Sequence, residues 1–252
     1  MNRKNIAIAF VVILFLLLSV GIVYIFSELY TESDIKNVID SKAIEFKNEY
    51  MDLNGVDNGN GKNYRSIVIP DDNPFEKVSE DEIVSKMDAN ETFVVYFGFA
   101  KCPWCRSVLE SLIKSAKENE VNKIYYVDVL GIRDTYELDE KNSLVKTKEG
   151  TEGYYKLLER LNNVLSDYKS LTYTKKKKVV EVPIKEKRIY APNIVVVKNG
   201  KALAMETGIL DEQTDGYQEL SDEMLCKMKE KFDCLFTKLK ESEYVCTEQN
   251  IC

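Results

Sequence analysis

Two cysteines separated by two residues are the residues of this chain best suited to chemistry. Cys102 and Cys105 stand in "KCPWCR", directly after "TFVVYFGF" (residues 92–99) and before "VLESLIKSAKEN". Such a pair can ligate zinc, close an inert structural disulfide, or work as a dithiol that exchanges disulfides with other molecules. The β-branched and aromatic run predicts a buried central strand, and the segment after the motif predicts an amphipathic helix. The cysteines are therefore expected where a strand turns into a helix.

The rest of the sequence bears on which of these three roles applies. A structural zinc site needs four ligands, but the chain has no histidine and its other cysteines form two widely spaced pairs. A disulfide that closes so short a loop constrains the unfolded chain little, so it would contribute little stability. The pattern favours a redox dithiol that needs neither a metal nor an organic cofactor.

A redox dithiol needs one thiol with a lowered pKa, and the residues around Cys102 favour this. Pro103 suits the first position of a helix, where its missing N–H would have no partner, so Cys102 is predicted to be the N-cap. Its sulfur would then face unpaired backbone N–H groups and the positive end of the helix dipole, both of which favour the thiolate. Cys105 would lie on the same face of the helix. Lys101 and Arg106 are expected to add positive charge nearby.

Two separate segments resemble the thioredoxin superfamily. "VVYFGFAKCPWC" is similar to the central strand and active-site turn of that family. "YAPNIVVVKNGKALAMETG" is similar to its later segment, where a cis-proline precedes a strand, an Asn-Gly hairpin and a closing glycine. With the flanking helices, the resemblance covers residues of roughly 78–130 and 188–240. It implies an α/β, thioredoxin-like fold, in which a central mixed sheet is flanked by helices.

The resemblance also implies a role for each matching residue. Cys102 would be the attacking thiolate, and Cys105 the resolving thiol that breaks the mixed disulfide. Pro192 would be the cis-proline packed against the dithiol, and its backbone and that of Ala191 would pair with an extended substrate peptide. Trp104 would be a partly exposed apolar contact for the partner chain. From the residues alone, Pro192 could be an ordinary proline at the start of a strand, and Trp104 could be a packing residue without a binding role.

The sequence departs from thioredoxin itself at two places. Pro-Trp stands between the cysteines where thioredoxin has Gly-Pro, and Tyr96 replaces the buried aspartate six residues before the first cysteine. A tyrosine is a poor proton acceptor at neutral pH, so the proton relay of thioredoxin is not expected here. Both departures disfavour a plain reductase. The nearest group by resemblance is the membrane-anchored thioredoxin-like proteins of bacteria, which include those that accompany exported bacteriocins.

The N-terminal segment predicts a membrane anchor. Residues 6–26 form an apolar run that, at about 1.5 Å per residue, is long enough to cross the hydrocarbon core of a bilayer. Arg3 and Lys4 precede it and acidic residues follow, so residues 1–5 are expected in the cytoplasm and the rest of the chain outside. A cleaved signal peptide is the alternative. The formal net charge of −7 argues against nucleic acid as a partner.

Beyond the anchor, the sequence divides into further predicted parts. Residues 27–63 are predicted to be a stalk helix followed by a Gly/Asn-rich linker, and residues 64–240 the thioredoxin-like domain. The segment at about 131–187 is longer than the minimal fold needs, and it is interpreted as a helical insertion with one helix over 151–168. The four lysines at 175–178 are interpreted as a solvated loop.

Four further cysteines lie near the C-terminal end of the sequence: Cys226, Cys234, Cys246 and Cys252. The first two fall in one predicted helix, where the rise per residue would separate their Cα atoms by about 12 Å. A disulfide requires less than about 7 Å, so each is expected to pair with a cysteine of the tail at 241–252. Cys234–Cys246 with Cys226–Cys252 is preferred, and the crossed pairing is the alternative. Such disulfides would staple the tail in an oxidising exterior; a second redox relay to Cys105 is the other interpretation.

Two functions fit these observations. The first is an anchored, extracytoplasmic thiol–disulfide oxidoreductase that acts on the thiols and disulfides of exported proteins. A membrane or extracytoplasmic redox partner would reset it. The second is an accessory module that holds an exported peptide or a transporter, with the segment at 131–187 or the tail as a docking surface. The direction of electron flow does not follow from these residues.

Overall fold

The computed structural model describes the backbone of residues 32–240, with side chains from residue 41 onward. The predicted anchor at 6–26, the residues before it and the tail at 241–252 lie outside the described residues. Across the part of the chain that is described, no helix combines the length and the apolar character that a membrane span requires.

A five-stranded mixed sheet forms the centre of the fold. The strands, in chain order, are β1 (Phe75–Lys77), β2 (Phe93–Gly98), β3 (Ile124–Asp128), β4 (Thr135–Leu138), β5 (Leu144–Lys148), β6 (Leu171–Lys175), β7 (Lys178–Val182), β8 (Asn193–Lys198) and β9 (Lys201–Glu206). The central sheet has the order β1-β3-β2-β8-β9. Its first three strands are parallel, and β8 pairs antiparallel with both β2 and β9. Every residue of β2 is buried, as its uninterrupted apolar run predicts.

Helices cover both faces of this sheet. They are, in chain order, α1 (Glu32–Met51), α2 (Glu80–Asp88), α3 (Pro103–Glu118), α4 (Glu152–Leu161) and α5 (Asp222–Lys240). The second half of α1 builds one hydrophobic core together with α3, α5 and the side chains of Val94 and Tyr96. Helices α2 and α4 build a second core with Val95 and Phe97. The predicted α/β class and the central mixed sheet are therefore confirmed.

The register of the sheet brings two distant loops to the same edge. β2 ends at Gly98, which pairs with Asp128 of the parallel strand β3. β8 begins antiparallel to β2, with Asn193 opposite Phe97. Because β8 begins where β2 ends, the residues just before Asn193 lie beside the residues that follow β2. The "KCPWC" turn and the "YAP" segment therefore become neighbours.

The Asn-Gly hairpin predicted from the sequence joins β8 to β9. Asn199 and Gly200 both have positive φ, 50° and 72°, as a type I′ turn requires. A Cβ on Gly200 would overlap the carbonyl oxygen of Met87 at the end of α2. Glycine is therefore needed here for space as well as for conformation.

The second half of α1 belongs to the domain rather than to a stalk. Phe46 and Tyr50 are fully buried, and the ring of Phe46 stacks on that of Phe75 with 4.1 Å between the centroids. The chain divides into two units just before Ala43, so the predicted domain boundary at residue 64 falls too late. The sequence shows the apolar stripe of this helix but not the sheet against which the stripe packs.

The segment at 131–187 is helical only in part: the helix predicted over 151–168 is present over Glu152–Leu161, but the prediction of a helical insertion is wrong for the rest. It contains two hairpins, β4–β5 and β6–β7. Within the described residues, the two strands of each hairpin pair only with each other and form a separate two-stranded sheet. The helix between them, α4, ends at Leu161 and packs in the second core. The hairpin strands contain no buried residue and are only four or five residues long, so their strand signal in the sequence is weak. The lysines at 175–178 are exposed at the tip of β6–β7.

Candidate active site

Cys102 is the N-cap of α3, as the sequence predicts. Its backbone is extended, with φ −78° and ψ 116°, and Pro103 occupies the first turn of the helix. The backbone N–H of Cys105 donates to Cys102 Sγ at 3.3 Å. A helix donor that would otherwise lack a partner thus points at the sulfur, and the positive end of the helix dipole lies there too. Both effects stabilise a thiolate.

The two thiols of the motif are free and chemically unequal. The pKa of Cys102 is lowered, first by a hydrogen bond with the Cys105 side chain and then, against the effect of burial, by the backbone N–H groups of Cys105 and Trp104. The pKa of Cys105 is raised well above its ordinary value, because the side chain is fully buried and lies beside the Cys102 sulfur. Cys102 therefore ionises first and can act as a nucleophile, while Cys105 keeps its proton.

Positive charge reaches Cys102 from Arg133, a residue that no sequence pattern marks. The Arg133 guanidinium lowers the pKa of Cys102 and lies over the Phe99 ring, 5.5 Å from its centroid. It also donates to the carbonyl oxygen of Ile189 at 3.4 Å, so it connects the loop after β3 to the segment before β8. Lys101, which was expected to supply charge, is exposed on the turn. Only the fold brings Arg133 to the dithiol.

Arg106 has a different role from the expected one of adding charge beside Cys102. It is fully buried, and its guanidinium donates to the carbonyl oxygens of Tyr50 at 2.7 Å and of Arg65 at 2.6 and 2.9 Å. It also donates to Asn54 Oδ1 at 2.5 Å. These hydrogen bonds tie α3 to the end of α1 and to the loop that follows it.

The segment before β8 lies against Cys102. The Ala191–Pro192 peptide bond is cis, as the resemblance implies, and the Cys102 thiol donates to the carbonyl oxygen of Ala191 at 3.4 Å. Pro192 is buried, whereas Ala191 is half-buried. Trp104 is also half-buried and packs against the first core. The fold thus brings together the cysteines, Trp104 and the cis-proline segment, which are widely separated in sequence.

Tyr96 lies against Cys105, at the position where the resemblance implies an aspartate. It is fully buried, its hydroxyl interacts with the Cys105 thiol, and the same hydroxyl lies 3.0 Å from that of Tyr50. Burial raises the pKa of Tyr96 well above its ordinary value, so the phenol stays protonated at neutral pH. Gly98 permits this placement, because a Cβ there would overlap the Tyr96 phenol. Tyr96 and Cys105 share a hydrogen bond, but a tyrosine does not bring the negative charge of an aspartate.

The C-terminal helix carries the other described cysteines. Cys226 and Cys234 are both disulfide-bonded. They lie in the continuous helix α5, where the rise of about 1.5 Å per residue keeps them too far apart to bond to each other. Their predicted partners, Cys246 and Cys252, lie outside the described residues.

The arrangement suits a two-step exchange of disulfides, since it places a reactive thiol, a buried thiol and an accepting backbone carbonyl side by side. Within the described residues, no group of three or more His, Cys, Asp or Glu side chains is placed to hold a metal ion. Comparisons with protein-family models, with curated proteins and with solved structures found no match to this chain.

Proposed function

We propose that this chain is a thioredoxin-like thiol–disulfide oxidoreductase that uses Cys102 and Cys105 to exchange disulfides with exported proteins. The observation that carries the proposal is the inequality of the two thiols. A helix-capping sulfur with a lowered pKa lies beside a buried thiol with a raised pKa. A structural disulfide needs no such difference between its two thiols. Two-step exchange needs one thiol that ionises first and a second thiol that stays protonated until the mixed disulfide has formed.

The fold supports the thioredoxin-like part of the proposal. A central mixed sheet has helices on both faces, and the turn with the two cysteines joins its most buried strand to a helix. The cis-proline, the strand β8, the Asn199-Gly200 hairpin and Gly208 follow in the order that the resemblance implies. The hairpins β4–β5 and β6–β7 are additions to that arrangement.

The proposed reaction has two steps. The Cys102 thiolate attacks one sulfur of a substrate disulfide, and the other substrate sulfur leaves as a thiolate that takes a proton from water. Cys105 then gives up its proton and attacks Cys102 Sγ, which releases the second substrate thiolate and leaves the Cys102–Cys105 disulfide. Two electrons pass from the protein dithiol to the substrate disulfide. The same steps in reverse oxidise a substrate dithiol.

The cis-proline segment offers a place for the substrate chain. Because the Ala191 carbonyl oxygen lies 3.4 Å from Cys102 Sγ, a peptide paired with this backbone would carry its own sulfur to the nucleophile. Main-chain hydrogen bonds give affinity to an extended peptide with little dependence on its sequence. Half-buried Trp104 would contact apolar side chains of the same peptide.

The proposed site of action is outside the cytoplasm, on the anchor predicted at residues 6–26. The disulfide bonds of Cys226 and Cys234 support an oxidising compartment. Arg3 and Lys4 before the apolar run support the orientation. The partner that resets the dithiol would then be a membrane or extracytoplasmic redox protein.

Substitution of each cysteine tests the proposed reaction. Cys102→Ser removes the nucleophile and is expected to abolish the reduction of insulin disulfides. Cys105→Ser leaves attack intact but removes resolution, so covalent adducts through Cys102 are expected to accumulate on a non-reducing gel and to disappear with reductant. If both variants keep the turnover of the wild type, the proposal is wrong.

The reduction potential of the couple decides the direction of exchange. It is measured by equilibration of the intact chain with glutathione buffers and alkylation of the thiols that remain. A value near about −270 mV would indicate a reductant similar to thioredoxin, and a value near about −120 mV a strong oxidant.

A second function, a binding module with a marginal dithiol, is favoured by the two hairpins of the segment at 131–187. Val145 in β5 and Val179 in β7 are exposed apolar residues on them. In this case the Cys102→Ser/Cys105→Ser double variant would retain an exported peptide or a transporter domain as strongly as the wild type. Loss of binding in the double variant would instead favour the exchange reaction.

A further inference from the structure

A row of tyrosine hydroxyls leads away from the buried thiol of Cys105. The Tyr96 hydroxyl interacts with that thiol and lies 3.0 Å from the Tyr50 hydroxyl. The Tyr50 hydroxyl in turn interacts with that of Tyr126, and the two rings are 6.0 Å apart between centroids. All three tyrosines are fully buried. The row therefore runs through the first core, shielded from water.

The outer end of this row is a carboxylate. The Tyr126 hydroxyl donates to Glu49 Oε1 at 2.7 Å, and Glu49 Oε2 lies 2.6 Å from Lys77 Nζ. The Glu49 side chain is 22% exposed, so it can exchange protons with solvent. The row therefore connects a thiol that water does not reach to a carboxylate that water reaches.

Resolution of a mixed disulfide requires Cys105 to lose its proton, and burial opposes that loss by raising the pKa of the thiol. None of the three tyrosines can take the proton as a tyrosinate, because burial raises the pKa of all three phenols and so disfavours the negative form. A hydroxyl can, however, accept a proton on its oxygen while it donates its own. A row of hydroxyls can therefore pass a proton along without forming a tyrosinate at any point.

We propose that these side chains act as a proton relay for the resolving thiol, in the order Tyr96, Tyr50, Tyr126 and Glu49; the inference rests on the proposed exchange function. The Cys105 S–H donates to the first hydroxyl, each hydroxyl donates to the next, and the last donates to the carboxylate. The neutral carboxyl group then releases the proton to water.

The electrons and bonds balance in the same step. As its proton leaves, the Cys105 sulfur forms a bond to Cys102 Sγ, and the bond between Cys102 and the substrate sulfur breaks. The substrate sulfur leaves as a thiolate with the electron pair of that bond. When the dithiol is regenerated, the relay returns a proton to Cys105 in the opposite direction.

Charged groups of α1, α3, β1 and β3 act on the relay. Arg106 of α3 donates to the Tyr50 carbonyl oxygen at 2.7 Å and favours negative charge in the core. Lys77 of β1 favours negative charge on Glu49. Asp128 of β3 acts on Tyr126, whose pKa it raises, and on Lys77, while Glu45 of α1 acts on Lys77. Proton movement toward Glu49 moves negative charge inward, so Arg106 assists the transfer and Lys77 opposes it.

A coloured leaving group separates the two steps of exchange. The reduced full-length chain, in detergent, reacts with an aryl disulfide whose thiolate is coloured, so that attack by Cys102 releases one thiolate and resolution by Cys105 releases the second. In the wild type the second release is expected to depend weakly on pH near neutrality. In Tyr50→Phe it is expected to be at least about tenfold slower at pH 7 and to rise about tenfold per pH unit, because hydroxide must then remove the proton. The first release stays unchanged, within a factor of about two.

Two further variants separate the relay from packing. Glu49→Gln preserves the shape of a partly exposed side chain and is expected to slow the second release and steepen its pH dependence, as Tyr50→Phe does. Tyr154→Phe removes the hydroxyl of a fully buried tyrosine in the second core and is expected to leave both releases unchanged.

Three outcomes would contradict these inferences. Wild-type rates and pH dependence of the second release in both Tyr50→Phe and Glu49→Gln would overturn the relay. An equal loss in Tyr154→Phe would also overturn it, since the effect would then come from packing. Release at the same rate from the wild type and from Cys102→Ser would overturn the exchange function itself, and the relay with it.

Discussion

Tyr96 and Phe97 are neighbours in strand β2, but their side chains enter different cores. Tyr96 points into the core beneath α1, α3 and α5, where hydroxyl groups connect the dithiol to a carboxylate. Phe97 points into the core beneath α2 and α4, among residues such as Val127 and Leu157. One strand therefore has a face that contacts the buried Cys105 thiol and a face that only packs. An uninterrupted apolar run can conceal a polar face with a function of its own.

The largest effect on stability is expected on the packing face. Phe97→Ala removes a fully buried ring, and such substitutions lower the free energy of unfolding by about 3–5 kcal/mol, because transfer energy is lost and a cavity remains. Urea unfolding of the reduced chain measures the loss. The pH dependence of the second thiolate release is expected to stay that of the wild type. A changed pH dependence would mean that the two faces are not independent.

A smaller loss of stability and a specific change in chemistry are expected on the tyrosine face. Gly98→Ala introduces a Cβ that overlaps the Tyr96 phenol, and overpacking of this kind costs about 1–3 kcal/mol. Because the Tyr96 hydroxyl lowers the pKa of Cys105, its displacement is expected to raise that pKa further and to slow resolution. Alkylation of Cys105 at a series of pH values, in the Cys102→Ser background, measures the shift.

The control for Gly98→Ala is Gly131→Ala. A Cβ at Gly131 has no atom within 4 Å, apart from its chain neighbours, and its φ is not positive. Gly131→Ala is therefore expected to change neither stability nor the pKa of Cys105. Equal pKa shifts in the two variants would contradict the positioning role of Gly98.

The smallest effect is expected at Cys102. Arg133 favours the Cys102 thiolate, so Arg133→Met is expected to raise the pKa of Cys102 and to slow its alkylation a few-fold below that pKa, with no difference at high pH. Lys101→Met removes an exposed charge from the adjacent residue and is expected to shift the profile less. An unchanged alkylation profile in Arg133→Met, or an equal shift in Lys101→Met, would refute the assignment of the charge to Arg133.

Local chemistry was sufficient to predict the turn that carries the two cysteines and the Asn-Gly hairpin. Pro103 fixes the start of α3 and therefore the capping position of Cys102, and Asn199-Gly200 fixes the turn between β8 and β9. Each of these depends on a few adjacent residues. The cis-proline was expected from the family resemblance, because the residues alone also allow an ordinary proline at the start of a strand.

The partners of the dithiol could not be predicted, because they come from segments whose packing the sequence does not reveal. Tyr50 and Glu49 lie in a helix whose amphipathic pattern is equally compatible with a stalk. Arg133 lies at the start of a polar segment without apolar periodicity. Burial of Arg106 also runs against the usual exposure of arginine, and only the carbonyl oxygens that surround it explain its position.

The hydrogen bonds of Arg106 have a practical consequence for the choice of fragments. A shortened chain that starts at residue 64 would lack the Tyr50 carbonyl and the Asn54 side chain, and a buried guanidinium would lose acceptors that hold it. Loss of acceptors from a buried charged donor costs more than the about 1–3 kcal/mol that a neutral donor would lose. A fragment for kinetics or crystallisation therefore needs to begin before Ala43. A fragment that starts at residue 64, the boundary that the sequence suggests, would also lack Tyr50 and Glu49 of the proposed relay. Its pH behaviour would then not represent that of the intact protein.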